Sequence, residues 1–311
     1  MAGRRQKKSG RRSYAWRYRG RIVACVFVEV IIICALVIMI GWNKGVKEWF
    51  EQFEQPVLKE VDISGINSPN AILMQARGGK ILGEINGEAQ IYPASMTKIM
   101  TVILGIENFD NLDEKITLTD EMFAGLYEQD ATQAGFQPGE EVRVIDLLYG
   151  AMLPSGAECC IALADTISGS EADFAELMNK KARKLGMENT HFCDSTGLHN
   201  PDHYSTVKDI AVLMKYCIKN DTFREIVETS RHSTGVTNIH PDGITYYSTM
   251  FKNLSDPTVT GGKILGGKTG YTSEAGHCLV SFAEIEGREY IFVSAGASGA
   301  DGNTIPHIQD A

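Results

Sequence analysis

The chain has 311 residues, 43% hydrophobic and 22% charged, which suits one or two globular domains and excludes pervasive disorder. The first 21 residues hold nine Arg and Lys and no acid, so the net charge of −9 leaves −18 on everything that follows. Nucleic-acid binding needs clustered cations against phosphate, and so acidic a body is a poor candidate for it.

In chain order, the basic stretch 1–21 precedes IVACVFVEVIIICALVIMI, a 19-residue apolar run over 22–40. That is about the length that crosses roughly 30 Å of hydrocarbon as a helix. A transmembrane signal-anchor is expected over 22–41, with the basic tail in the cytoplasm and the rest outside. The following GWNKGVKEW lacks a small-x-small exit, which argues against cleavage. Glu29 within the run fits either a partner helix or burial in its protonated form. Residues 42–60 carry Trp42, Val46, Trp49, Phe50, Phe53 and Val57 at helical spacing, a stripe that suits the membrane's outer face or a plain stalk. Residues 61–311 are then an extracytoplasmic domain on a single-pass membrane protein.

Within that domain AILMQAR and KILGEI flank Gly78-Gly79, and GHCLVSFAEI and REYIFVSAG flank Glu286-Gly287, two hairpin patterns. Between them VIDLLYGAML, AECCIALADTI and SEADFAELMNKKARKL read as helices, the last opening on a capping serine and closing on Gly186. Strands at both ends with helices between predict an α+β body whose sheet is assembled from both chain ends. Five cysteines fall in this domain (Cys159, Cys160, Cys193, Cys217, Cys278); their spacing suggests neither a disulfide framework nor a zinc site, so buried free thiols are expected.

YPASMTKIMT sets Ser95 and Lys98 three apart in an apolar helical pattern. Lys98 could simply cover apolar surface with its stem. Alternatively Ser95 is a nucleophile and Lys98 its base. Pro93 places Ser95 near the helix start, where free N–H groups and the dipole favour an alkoxide and an oxyanion. Exclusion of water by Met96, Ile99 and Met100 would lower the lysine pKa and free its amine. The same spacing recurs at Ser205 and Lys208, where the serine is better explained as a helix cap.

GGKTGYTSEAG, read as a strand, offers Lys268 and Thr269 on an edge beside Gly270, fit to pair with an extended peptide and hold its carboxylate. GKILGGKT over 262–269 also matches the phosphate-loop pattern, but glycine and strand follow it where a helix is required. Ser155, in MLPSGAECC, reads on its own as an N-cap. His199 and His203 in HNPDH are the candidate metal ligands, with Pro201 interrupting any shared helical face.

Taken in order, Ser95-Met-Thr-Lys98, Ser155-Gly-Ala157 and Lys268-Thr-Gly270 resemble the three motifs of the serine penicillin-recognising enzymes. SPNAILMQARGGKIL, GMENTHFCDSTGLHNPDHYST and GGKTGYTSEAGHCLV resemble the D-alanyl-D-alanine carboxypeptidases among the low-molecular-mass penicillin-binding proteins, over about residues 62–311. The resemblance implies a β-lactamase/transpeptidase-like fold: an antiparallel sheet flanked by helices, a mainly helical lobe, and the active site between them. It implies that Ser95 attacks the bond between the terminal D-alanines of a peptidoglycan stem peptide, with Lys98 as base and Ser155 as proton relay. Lys268 and Thr269 would bind the carboxylate, and the N–H groups of Ser95 and Tyr271 would form the oxyanion hole. β-Lactams would acylate Ser95, and no cofactor or metal is implied.

Two departures stand out. The family's second motif ends in Asn, and Ala157 stands there instead; loss of one polarising donor can cost about a hundredfold in rate, unless another group such as Glu158 compensates. Many relatives carry an arginine after the last strand, for which His307 is the substitute at hand. Relatives also continue where this sequence stops, so a fragment is a further expectation. The alternatives carried from the sequence are a serine β-lactamase, although no E-x-x-L-N segment is present, and a weakly active or non-catalytic muropeptide or β-lactam binder.

Overall fold

The computed structural model describes residues 60–254, 256–299 and 306–311. The tail and anchor expected over residues 1–41, and nearly all of the stalk, lie outside the described residues. Among the described residues no helix is long and apolar enough to cross a membrane.

Strands β1 (Asn70–Gln75) and β2 (Ile81–Ile85) form the expected first hairpin. Its turn needs positive φ at both Gly78 (86°) and Gly79 (75°), which glycine adopts without a Cβ penalty. A 3-10 turn, Ala94–Thr97, leads directly into α1 (Lys98–Asn108), whose residues from Lys98 to Gly105 are all buried. The small strands β3 (Lys115–Thr117) and β4 (Glu141–Arg143) pair with each other. They are too short to leave an alternation in the sequence. Helices α2 (Val144–Met152), α3 (Ala157–Ser168) and α4 (Glu171–Leu185) follow. As expected, Ser170 caps α4 by accepting the N–H of Asp173, and Gly186 closes it in the left-handed region.

Next come α5 (Val207–Cys217), α6 (Asp221–Glu228), the short pair β5 (Arg231–Ser233) and β6 (Thr245–Tyr247), and α7 (Thr249–Asn253). Ser205, expected to cap α5, is displaced from that role by its neighbour: Thr206 accepts the N–H of Asp209, and the Ser205 hydroxyl turns to Thr190 at 2.8 Å. Lys208 pairs at the surface with Glu88. Strands β7 (Thr258–Val259), β8 (Gly262–Thr272), β9 (Gly276–Ile285) and β10 (Arg288–Ala297) then run antiparallel. Glu286 (φ 51°) and Gly287 (φ 71°) make the tight β9–β10 turn. A last short helix, α8, spans Pro306–Gln309.

Because β1 pairs with β10 in antiparallel register, Ile72 opposite Val293, the sheet has the order β2–β1–β10–β9–β8–β7 and joins the two ends of the domain as expected. Alternation along β9 divides two faces. Cys278, Val280 and Phe282 join the main core with α1 and its helical neighbours, whereas Leu279 packs with Met250 and Ile308 on the other side. The α+β architecture is therefore an antiparallel sheet flanked by helices on both faces.

Candidate active site

Ser95 lies inside the 3-10 turn and Lys98 is the first residue of α1. In a 3-10 turn side chains three apart eclipse, so the two residues stand over one another. Lys98 Nζ is 2.9 Å from Ser95 Oγ and donates to the carbonyl of Thr196 at 2.7 Å. The lysine is 3% exposed. Loss of water lowers its pKa, with nearby Cys160, Asp194 and Glu158 opposing the shift. This is the behaviour the base reading requires, and the stem-covering reading, in which the amine reaches water, does not describe it.

Two glycines let backbone reach this turn. A Cβ at Gly270 would lie 2.9 Å from the N of Ser95 and 3.1 Å from the Cβ of Ala94, so β8 approaches as closely as it does only with glycine there. At Gly197, in the loop that supplies the Thr196 carbonyl, a Cβ would meet the Ala94 carbonyl oxygen at 1.9 Å. Ala94 itself has φ 47°.

Ser155 is not an N-cap. Gly156 occupies that position of α3 without a side-chain cap, and Ser155, at φ 72°, turns its hydroxyl toward β8. Its Oγ accepts from Lys268 Nζ at 3.0 Å, and the same amine donates to the Thr269 carbonyl at 2.9 Å. Lys268 is 1% exposed, and its pKa falls well below the lysine range through burial and then through the charge of Lys98. Neighbours on a strand face opposite ways, and Thr269 places its hydroxyl 2.7 Å from that of Thr249. Lys268 thus stands behind Ser155, and the two side chains do not share one open edge.

Ser95 and Lys98 line a cleft of about 410 Å³ together with Ala157, whereas Ser155 and Lys268 lie behind its lining. Residues 129–132 form one wall, 196–199 a second and 271–274 a third, with Tyr271 59% exposed.

A family model described as D-alanyl-D-alanine carboxypeptidase matches residues 57–299. The chain belongs to the D-alanyl-D-alanine carboxypeptidase family. It is 35% identical over 233 residues to the D-alanyl-D-alanine carboxypeptidase DacF of Bacillus subtilis (strain 168), covering 74% of this chain and 57% of DacF. It is 37% identical over 205 residues to a D-alanyl-D-alanine carboxypeptidase of Streptomyces sp. (strain K15), covering 63% and 69%. The crystal structure of the Streptomyces K15 DD-transpeptidase superposes with a TM-score of 0.71 at 29% identity, covering 80% of this chain and 96% of that one. The chain spans little more than half the length of DacF.

Membership in this family accounts for the segments that carried rival readings. Residues 262–269 lie within β8, so they form no phosphate loop. His203 is buried and bonded to Thr97 and Asp194, while His199 lines the cleft edge-on to Tyr92, so the two rings have separate surroundings, and no metal-binding cluster occurs among the described residues. Among the described residues the five cysteines are free thiols, four of them buried and Cys193 partly exposed.

Both suggested substitutes for missing family residues fail on geometry. Glu158 points away from the cleft: its Oε1 accepts from the N–H groups of Ala134 (2.6 Å) and Gly135 (3.0 Å). Burial raises its pKa. His307 is buried, stacks on His277 at 4.8 Å, and is pushed down to about 4 by burial and by His277, so at neutral pH it carries no charge for a carboxylate.

The Thr196 carbonyl and the wall at 129–132 were not visible in the sequence. Asp194-Ser-Thr-Gly197 carries a turn composition, yet nothing in it says where a carbonyl points.

Proposed function

We propose that this chain is a serine D,D-carboxypeptidase acting on peptidoglycan stem peptides that end in D-Ala-D-Ala. The observation that carries the proposal is the 2.9 Å contact between Ser95 Oγ and a lysine amine removed from water, at the wall of a cleft. A buried amine held neutral can take the serine proton as Oγ bonds to the substrate carbonyl carbon. The N–H groups of Ser95 and Tyr271 would stabilise the resulting oxyanion. As the C–N bond breaks, the proton that Lys98 took passes through the Ser155 hydroxyl, held from behind by Lys268, to the leaving amine, which leaves Lys98 neutral again. D-Alanine departs, and water then releases the shortened peptide from Ser95 with Lys98 again as base.

The chemistry of the substrate fits the charge of the site. Neither Lys98 nor Lys268 has a hydrogen-bonded carboxylate partner among the described residues. An incoming C-terminal carboxylate beside Ser155 and Thr269 would supply the missing anion. Ala157 leaves an apolar patch in the lining where the family has an amide, so turnover should be slow relative to relatives that keep it. We further propose that the domain works outside the cell on the anchor at 22–41, as the basic tail and apolar run argue.

Fluorescent penicillin added to the full chain in detergent should label the wild type and leave Ser95→Ala unlabelled; equal labelling of both would end the assignment. Released D-alanine from a D-Ala-D-Ala peptide distinguishes an enzyme from a binder, and a penicilloyl adduct that clears within seconds would instead indicate a β-lactamase.

A further inference from the structure

Asp194 and His203 take no part in the chemistry above, yet they join the two backbone segments on which it depends. Asp194 Oδ1 accepts from the N–H groups of Thr196 (2.8 Å) and Gly197 (2.7 Å) and from the Thr196 hydroxyl (2.7 Å), folding the loop back on itself. Its Oδ2 lies 3.1 Å from His203 Nδ1, and His203 Nε2 lies 2.9 Å from Thr97 Oγ1, in the turn between Ser95 and Lys98. The imidazole thus bridges the carboxylate at Nδ1, where the Cys193 N–H also points at 3.2 Å, and the Thr97 hydroxyl at Nε2. Burial opposes ionisation of Asp194, but its hydrogen bonds from His203 and Thr196 hold the carboxyl down at about 2. His203, Thr97 and Thr196 are each at most 2% exposed.

We infer that Asp194 and His203 form a positioning clamp for the proposed general base, fixing the Thr196 carbonyl relative to the turn that carries Ser95. The reason lies in the amine. Neutral, it has two N–H bonds and one lone pair; when the Thr196 carbonyl takes an N–H, the lone pair has fewer directions left and can face the serine hydroxyl. A carbonyl free to drift would let the lysine rotate, and a misplacement of about 1 Å can cost on the order of a hundredfold in rate. The clamp reaches the loop through Asp194 and the turn through Thr97, so one imidazole sets the distance between acceptor and base.

This inference rests on the reading of Ser95 and Lys98 as nucleophile and base. The test measures, for the full chain with fluorescent penicillin, both the rate of labelling and the final labelled fraction. Thr97→Val keeps the side-chain shape and removes only the hydroxyl; His203→Ala removes the bridge and His203→Gln restores part of it. Thr97→Val and His203→Ala are expected to label about tenfold or more slowly, with the final fraction unchanged and His203→Gln intermediate. A merely structural role would lower the final fraction and leave the rate of the folded remainder intact, which would overturn the clamp. A wild-type rate in Thr97→Val would overturn it too, whether or not His203→Ala folds. Failure of the wild type itself to label, or labelling of Ser95→Ala, would remove the underlying nucleophile assignment and the clamp with it.

Discussion

At Gly197 the backbone has φ 80°, and any side chain would enter the Ala94 carbonyl. Both effects act on the same turn, because Ala94 immediately precedes Ser95. Gly197→Ala is therefore expected to lose about 2 kcal/mol or more of stability and at least tenfold in labelling rate. Gly169→Ala is the informative comparison: Gly169 has a similar φ of 82° but open space around it, so it should lose about 1 kcal/mol and keep its labelling rate. Denaturant melts and labelling time courses separate the two. Residue types in pattern pointed to Ser95, Lys98 and Lys268 and the family resemblance added Ser155; the structure brings Lys98 to Ser95 and Lys268 to Ser155. The partners of Lys98 were hidden for a physical reason: a backbone carbonyl has no letter of its own, and its direction depends on how Asp194 folds the loop.

At the scale of elements, α8 is held to the start of β1 by one carboxylate. Asp310 accepts from the N–H and amide of Asn67 and from the N–H and hydroxyl of Ser68. Beside it His307 stacks on His277, whose ring lies 4.6 Å from that of Tyr271 at the cleft. His307 titrates near 4 in the fold against an ordinary 6.5, so the unfolded chain binds the extra proton between those values. Its contribution to stability is present above pH 6.5 and is lost as pH falls toward 4. His307→Phe should show a smaller drop in melting temperature than the wild type between pH 7 and pH 4.5; an equal drop would mean that other groups carry the acid sensitivity. The hairpins and the cap of α4 were legible in the sequence because glycine pairs and a serine with a downstream glycine encode them locally. The cap of α3 was not, because Ser155 is drawn to Lys268 on a strand more than a hundred residues later.

For the molecule as a whole, the rate should depend on pH through the two buried amines. Lys98 must lose its proton to act as a base, and burial sets its pKa below the ordinary 10.5. Labelling should therefore rise with pH and reach half its maximum below 10.5. Lys268 feels the charge of Lys98, so the profile belongs to the pair and not to one residue. A midpoint at or above 10.5 would mean that water reaches Lys98. The sheet joining both ends of the domain was predictable from two hairpin patterns, whereas β3 to β6, at three residues each, carried too little periodicity to be seen.

The approach of Gly270 to Ser95 also fixes an order of events during synthesis. The nucleophile's turn leaves the ribosome before the strand that presses against it and before the β10 that must slot between β1 and β9. A nascent chain therefore holds the serine and lysine without a competent site while the intervening helices are made, and reactivity arrives only when β8 to β10 close the sheet.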